Sequence, residues 1–428
     1  MPQFAAALGF LACLGLAWAL SEDRRKIPWS AIGWGTALPL LVGVLVFLLP
    51  GSGPAMVAVN QFVVGGLDAA LAGARLVFGP LAAGPGQPGS IGVILLCQVF
   101  PIAIVVSALS AVLYQIGLLQ IVVRWFAVVF HRLLGISGAE ALTASANLFV
   151  GVESALVVRP YLERMTRSEL LVLLAAGMAT SASTVLGLYV LTVNQIFPGA
   201  AGHLAAATLM AVPAAIAIAK LLVPERESPV TAGWVPGDAE PKNPGGILGA
   251  VISGAMDGLH LVLGLAACLI AIIGLLAMAD WLLALTAGWV MTGPPPTIAG
   301  LLGWLFWPVA WLAGVAPADV AVMGQLLGKR LIAGEYLAYL DLVAAAKSGA
   351  IHDPRTVVVA SYVLCGFAHL ASVAIFVGGT AALVPSRRAD LARLGPKALL
   401  AATLATLMTG CIAAMFCSGN EIVLAAQR

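Results

Sequence analysis

From Ile91 to Leu113 the chain runs without a charged side chain, and apolar runs of this kind recur along its length. A helix of about 20 apolar residues crosses the hydrocarbon core of a bilayer. In that medium every backbone N–H and C=O must be satisfied inside the protein, and long uninterrupted runs achieve this as helix. Composition agrees: 61% of the residues are hydrophobic, only 9% are charged, and mean hydropathy is +1.04. A soluble domain carries about 25% charged residues, so this chain has too few to cover a water-facing surface. The expected class is an all-α polytopic membrane protein. A net charge of +2 gives no reason to expect a nucleic-acid partner. The six cysteines mostly lie in apolar runs without a C-x-x-C pair, so neither a disulfide framework nor a zinc site is implied.

Eight full spans are expected: Ala5–Leu20, Ala31–Leu49, Ile91–Leu113, Leu170–Thr192, Leu204–Val223, Leu259–Met278, Val357–Gly378 and Leu399–Phe416. The first has its basic residues after it, at Arg24–Lys26, which is the reverse of a signal peptide. Gly51–Ser90, punctuated by Gly and Pro, reads as a short interfacial helix. Gly117–Val158 carries Arg124, His131, Arg132 and the turn Gly135–Gly138, and reads as a re-entrant hairpin. Val320–Leu342, interrupted by Gly324, Gly328 and Gly334, reads as a second. An interfacial helix precedes the span at Leu259, and Ser386–Lys397 is a basic loop before the last span. The chain thus divides into an N-terminal scaffold (1–90), a first repeat with its hairpin (91–223), a polar loop (224–246), an interfacial helix with a scaffold span (247–314), and a second repeat with its hairpin (315–428). With both termini outside a cell membrane, most Lys and Arg fall on the cytoplasmic side, as the positive-inside rule asks.

An internal repeat supports this division. Gly177-Met-Ala179-Thr-Ser-Ala182-Ser183 returns as Gly366-Phe-Ala368-His-Leu-Ala371-Ser372, each copy following an arginine (Arg167, Arg355) and a Gly-rich hairpin with one glutamate, Glu153 or Glu335. Hairpins entering from opposite sides would make the repeat inverted, the arrangement that marks a transporter's midplane site. The competing account is that small-residue patterns recur because helix packing favours them. The matched glutamates and arginines favour a true repeat.

A carboxylate at membrane depth costs about 2.5–3.5 kcal/mol on insertion scales, so Glu153 and Glu335 are site candidates. The alternatives are ion pairs with Arg159 and with Lys329 or Arg330. Asp257 and His260, at the edge of a span, read as structural, and Glu163, Arg164 and Glu169 as a solvated face. His369, beside Ser372, is a candidate for substrate or proton chemistry. Gly135-Ile-Ser137-Gly138 could suggest a serine protease, but no base accompanies Ser137, and no enzyme is expected.

Several longer motifs resemble the concentrative nucleoside transporter family. They are Asn147-Leu-Phe-Val-Gly-Val-Glu153, Val158-Arg-Pro-Tyr-Leu162, Met165-Thr-Arg-Ser-Glu-Leu170, Gly177-Met-Ala-Thr180 and Asp257-Gly-Leu259. Further along come Gly328-Lys-Arg-Leu-Ile-Ala-Gly-Glu335-Tyr-Leu-Ala-Tyr339, Ser361-Tyr-Val-Leu-Cys-Gly-Phe-Ala-His369 and the loop Ser386–Gly395. The resemblance covers about Ile91 to Phe416. It implies eight core spans with two opposed hairpins, a homotrimer, and nucleoside uptake driven by a cation, Na+ or H+, with no organic cofactor. On the same basis Val152, Glu153, Glu335, Phe367, His369 and Ser372 would meet the substrate, Glu153 at the base and Glu335 and Ser372 at the ribose. Asn147, the Val150 carbonyl, the Thr180 hydroxyl and the Ser181 carbonyl would hold sodium.

The chain also departs from the family pattern. The usual G-Q-T-E is here Gly151-Val152-Glu153, one residue shorter and without its polar members. His369 and Gly334 stand where the family has asparagine. Fewer hydrogen-bonding groups face a base, which suggests a modified nucleoside or another small polar substrate. The rival reading is a membrane protein of this fold with a structural or signalling role.

Overall fold

The computed structural model describes residues 2–83, 90–92, 94–151, 153–237, 244–287 and 297–419, and among them all regular structure is helical. Three long helices open the chain: α1 (Pro2–Ala19), α2 (Trp29–Phe47) and α3 (Ser52–Phe78). The expected short interfacial helix after Gly51 is instead the 27-residue α3, long and apolar enough to span. Its glycines explain the difference. Gly51 (φ 90°) and Gly79 (φ 55°) adopt left-sided conformations and bound the helix, while Gly65, Gly66 and Gly73 lie inside it.

After the short α4 (Leu95–Gln98) and α5 (Pro101–Gln115) comes α6 (Leu118–Leu134), delimited by Gly117 (φ 88°) and Gly135 (φ 66°). It buries Leu119, Val123, Ala127, Phe130 and Leu134 and exposes Leu118, Ile121, Arg124, Trp125 and Arg132, a one-sided stripe. The turn at Gly135–Gly138 therefore joins an amphipathic helix to α7 (Gly138–Ala146). The hairpin's loop lies later, between α7 and the short α8 (Ser154–Val157) that packs on it.

The segment read as one span from Leu170 to Thr192 is two helices, α9 (Arg167–Ala179) and α10 (Ser183–Val193). A continuous α11 (Ala200–Leu222) follows. The expected interfacial helix and span after Gly246 are one piece, α12 (Gly246–Ala287); its 42 residues reach about 63 Å at about 1.5 Å per residue. Next come α13 (Ile298–Leu312) and a pair, α14 (Val320–Ala333) and α15 (Glu335–Lys347), that turns at Gly334 (φ 90°). The pair is clasped by an ion pair between Lys329 and Asp341. The segment Val357–Gly378 is again two helices, α16 (Pro354–Leu364) and α17 (Leu370–Leu383). The last helix, α18 (Arg388–Phe416), takes most of the expected basic loop into its first turns.

Seven helical stretches among the described residues are long and apolar enough to span, against the eight expected. Two expected spans are broken in the middle, and α3 is added. The core is α9, α11, α16 and α18. These helices are apolar on nearly every side and buried on nearly every side, as that pattern requires. Around them α3, α12 and α13 present large apolar side chains outward, among them Phe62, Leu76, Ile270 and Trp304.

Candidate functional site

The two broken helices meet at their breaks. A Cβ on Gly366 would lie 2.7 Å from the Ala179 carbonyl oxygen, and one on Gly177 would lie 2.2 Å from the Phe376 ring. The leading glycines of the two repeat copies are thus what allow the segments to approach. The Phe367 N–H donates to the Thr180 carbonyl at 3.3 Å, joining one break to the other. The first hairpin's loop closes on the same place: the Phe149 carbonyl accepts from the Ser183 hydroxyl at 2.7 Å and from its N–H at 3.2 Å.

On the second-repeat side the Glu335 carboxylate is 3% exposed, at the first turn of α15 beside the Gly334 bend. One oxygen accepts a hydrogen bond from the Tyr189 hydroxyl, and the other lies 3.5 Å from His369 Nε2. The Phe367 ring stands edge-on to His369 at 4.5 Å between centroids. Ser372 is fully buried, its hydroxyl accepting from the His369 N–H and donating to the His369 carbonyl at 2.6 Å. The alternative reading, an ion pair of Glu335 with Lys329 or Arg330, is not met among the described residues. Lys329 goes to Asp341, and Arg330 to backbone carbonyls.

On the first-repeat side, Asn147 caps the end of α7 with no exposure, and neither atom of its amide has a hydrogen-bond partner among the described residues. The Thr180 hydroxyl donates to the Ala176 carbonyl at 3.0 Å, leaving its lone pairs available. Ser181 is buried beside it, and Val150 is half-buried in the hairpin loop. Val152 lies outside the described residues.

Glu153 is not buried, as its setting in the sequence suggested, nor does it pair with Arg159. It is exposed, accepts from the Gly151 N–H at 3.1 Å, and opens on a cavity of about 820 Å³. Ser107, Ser110 and Gln115 of α5 and Asp257 and His260 of α12 line that cavity. Asp257 and His260, read as structural, therefore share a space with Glu153. Among the described residues no hydrogen bond or ion pair links Glu153 to Glu335.

One more correction concerns the far end of the bundle. Glu169, expected on a solvated face, is 1% exposed. It closes a capping box with Thr166 at the start of α9, and it accepts from Ser137 at 2.5 Å. Ser137 itself caps α7 in a second box with Glu140, and Lys220 bridges Glu140 (2.6 Å) and Glu225 (3.2 Å). The Gly-x-Ser-Gly serine is thus a helix cap. Tyr189 and Arg330 were missed as site residues. Tyr189 follows closely on the Gly177–Ser183 repeat copy, and it is one of only six tyrosines, which was the available signal.

Comparisons with known proteins fit this geometry. A family model for the N-terminus of Na+ dependent nucleoside transporters matches residues 8–81, a nucleoside-recognition Gate model matches 96–196, and the transporter C-terminus model matches 203–414. The chain is 33% identical to the putative nucleoside permease NupX of Escherichia coli, over 97% of this chain and 99% of that one. The chain belongs to the concentrative nucleoside transporter family.

It is 32% identical to the rat sodium/nucleoside cotransporter 1, over 96% of this chain and 63% of that longer one. Among solved structures it superposes on CNTnw in an inward-facing, substrate-bound state with a TM-score of 0.88, at 34% identity over 97% of this chain and 98% of that one. A doubly substituted CNTnw in an outward-facing state gives 0.89, at 33% identity over the same shares. The protein is a multi-pass membrane transporter of nucleosides, not an enzyme. For such a transporter the crossing of two broken helices supplies what the work requires. Each break frees backbone carbonyls and N–H groups from the helical ladder, and within a bilayer only protein or a water-filled cavity can satisfy such groups.

Proposed function

We propose that this transporter imports nucleosides, or nucleosides modified on the base, by coupling each to sodium entry through a site at the break of α9. The observation that carries the coupling is Asn147: a buried amide with no hydrogen-bond partner among the described residues, at the end of α7, a helix that packs on α9. Its oxygen, the Val150 and Ser181 carbonyls and the Thr180 hydroxyl are hard donors of the kind an alkali cation takes. Bound there, the ion would fasten the first hairpin to the broken helix and so assemble the substrate site.

In this reading Glu335 accepts the ribose hydroxyls, since one of its oxygens has no hydrogen-bond partner among the described residues. Phe367 and His369 flank the sugar, and Ser372 holds His369 in place. Glu153, the cavity it opens on and Val152 take the base. The shortened hairpin offers the base fewer hydrogen bonds, which favours modified bases over a strict choice among the common ones. Repeats of opposite orientation, both termini outside and a homotrimer seated through the outward apolar faces of α3 and α12 complete the proposal. One repeat bundle would move against that scaffold to alternate access.

A second reading, proton coupling, is favoured by one contact, His369 Nε2 at 3.5 Å from Glu335. Uptake of labelled uridine and adenosine into proteoliposomes, under a sodium gradient or a pH gradient, separates the two. Uptake indifferent to both gradients would end the coupling proposal.

A further inference from the structure

We propose that Arg330 is a built-in cation: at the break of α16 it takes the place that the transported ion takes at the break of α9, so the second repeat needs no ion of its own. The inference rests on the sodium reading above. The carbonyl end of a half-helix carries about half a negative charge, and transporters with discontinuous helices hold cations at such ends. The two breaks in this chain are closed differently. At the end of α9 the Ala176 and Gly177 carbonyls accept from the Thr180 hydroxyl and from no other polar side chain among the described residues, and the first hairpin, whose α7 packs on α9, carries the buried Asn147, unpartnered among those residues.

At the end of α16 the second hairpin brings up a guanidinium instead. Arg330 Nη1 donates to the Val363 carbonyl at 2.9 Å. Nη2 donates to the Gly366 carbonyl at 3.4 Å and to Thr406 Oγ1 of α18 at 2.9 Å. The side chain is 2% exposed, and the void it borders is about 10 Å³, near the minimum for one water. The pattern Gly328-Lys-Arg330 divides the work: Lys329 faces outward to Asp341, while Arg330 turns inward. Arg330 thereby fastens α14, the α16 break and α18 together, five residues before Glu335. A bound sodium would fasten α7 to the α9 break in the same way. A fixed charge at one break and a mobile one at the other gives a transporter that moves one cation per cycle.

A merely structural cap could be replaced by a neutral donor, whereas a substitute for an ion could not. Full-length wild type, Arg330→Lys and Arg330→Gln would be compared in proteoliposome uptake and by melting temperature in millimolar methylguanidinium. Arg330→Lys, which keeps the charge, should retain uptake within about tenfold of wild type, and Arg330→Gln should lose about a hundredfold. Methylguanidinium should raise the melting temperature of Arg330→Gln and restore part of its uptake while leaving wild type unmoved. If Arg330→Gln folds only when purified in methylguanidinium, that supports the proposal; failure to fold in both conditions counts against it. Arg330→Gln transporting as well as Arg330→Lys, or methylguanidinium acting alike on variant and wild type, would overturn it. The sodium dependence of wild-type uptake is a separate measurement, so a failure of the first-repeat site is recognised on its own.

Discussion

Replacing Gly366 with alanine tests the crossing of the broken helices directly. The added Cβ would lie 2.7 Å from the Ala179 carbonyl oxygen, 3.2 Å from its carbon and 2.6 Å from Thr406 Cγ2. Two of those three atoms are backbone, so no rotamer change relieves the contact. Restoring an ordinary separation moves the two segments apart by about 0.7 Å. The Phe367 N–H to Thr180 bond, now 3.3 Å, would then stretch to about 4 Å and fail. Overpacking costs about 1–3 kcal/mol and the lost bond about 0.5–1.5, together about 1.5–4.5 kcal/mol. At an unfolding entropy of about 0.9 kcal/mol/K for 428 residues, that is a fall in melting temperature of about 2–5 °C. Uptake should drop by about tenfold or more, because the proposed ion and substrate sites include Thr180 and Phe367. Gly378→Ala is the control. It lies within α17 with nothing within 4 Å of its Cβ, so the same change there should be neutral or stabilising by up to about 1 kcal/mol. A Gly366→Ala protein with wild-type melting and uptake would refute the reasoning.

Other outcomes follow from the same contacts. Glu335→Gln keeps the size of the side chain but removes its charge and should abolish uptake in proteoliposomes while the protein still folds; near-normal uptake would remove Glu335 from the site. Tyr189→Phe deletes the hydroxyl that holds Glu335, and a hydrogen bond to a charged group is worth about 1.5–3 kcal/mol, so nucleoside affinity should fall by about tenfold or more in a binding titration. Asn147→Ala should raise the sodium concentration for half-maximal uptake by about tenfold without the same loss at saturating sodium. At the start of α14, burial pushes the Asp319 carboxyl up, but hydrogen bonds from the His352 and Asp353 N–H groups, from Thr356 and from the His352 ring outweigh it and hold it below the usual range. Its stabilisation is therefore complete above the ordinary carboxylate value near about 4 and is lost as pH falls through the lower folded value. Asp319→Asn should melt lower at neutral pH and show a flatter acid limb in a pH series of melting curves.

What the sequence determined alone were the properties that local chemistry enforces. Long apolar runs with few charges leave a chain no option but helices in a bilayer, and the motifs around Asn147, Glu335 and Gly366 pointed to the family and to a doubled site. Of the three glycines read as interrupting Val320–Leu342, Gly324 and Gly328 lie inside α14 and only Gly334, with φ 90°, is the turn, because glycine adopts that conformation cheaply. Apolarity could not reveal that Leu170–Thr192 and Val357–Gly378 are broken, because half-helices inside a bundle are as apolar as whole ones. The breaks exist because the two segments cross at Gly177 and Gly366, and a crossing is a relation between residues far apart in the chain. The same reason hid Tyr189 against Glu335, Glu169 against Ser137 and Arg330 against Val363. Each pairing satisfies a buried polar group with a partner that only the tertiary structure brings within reach.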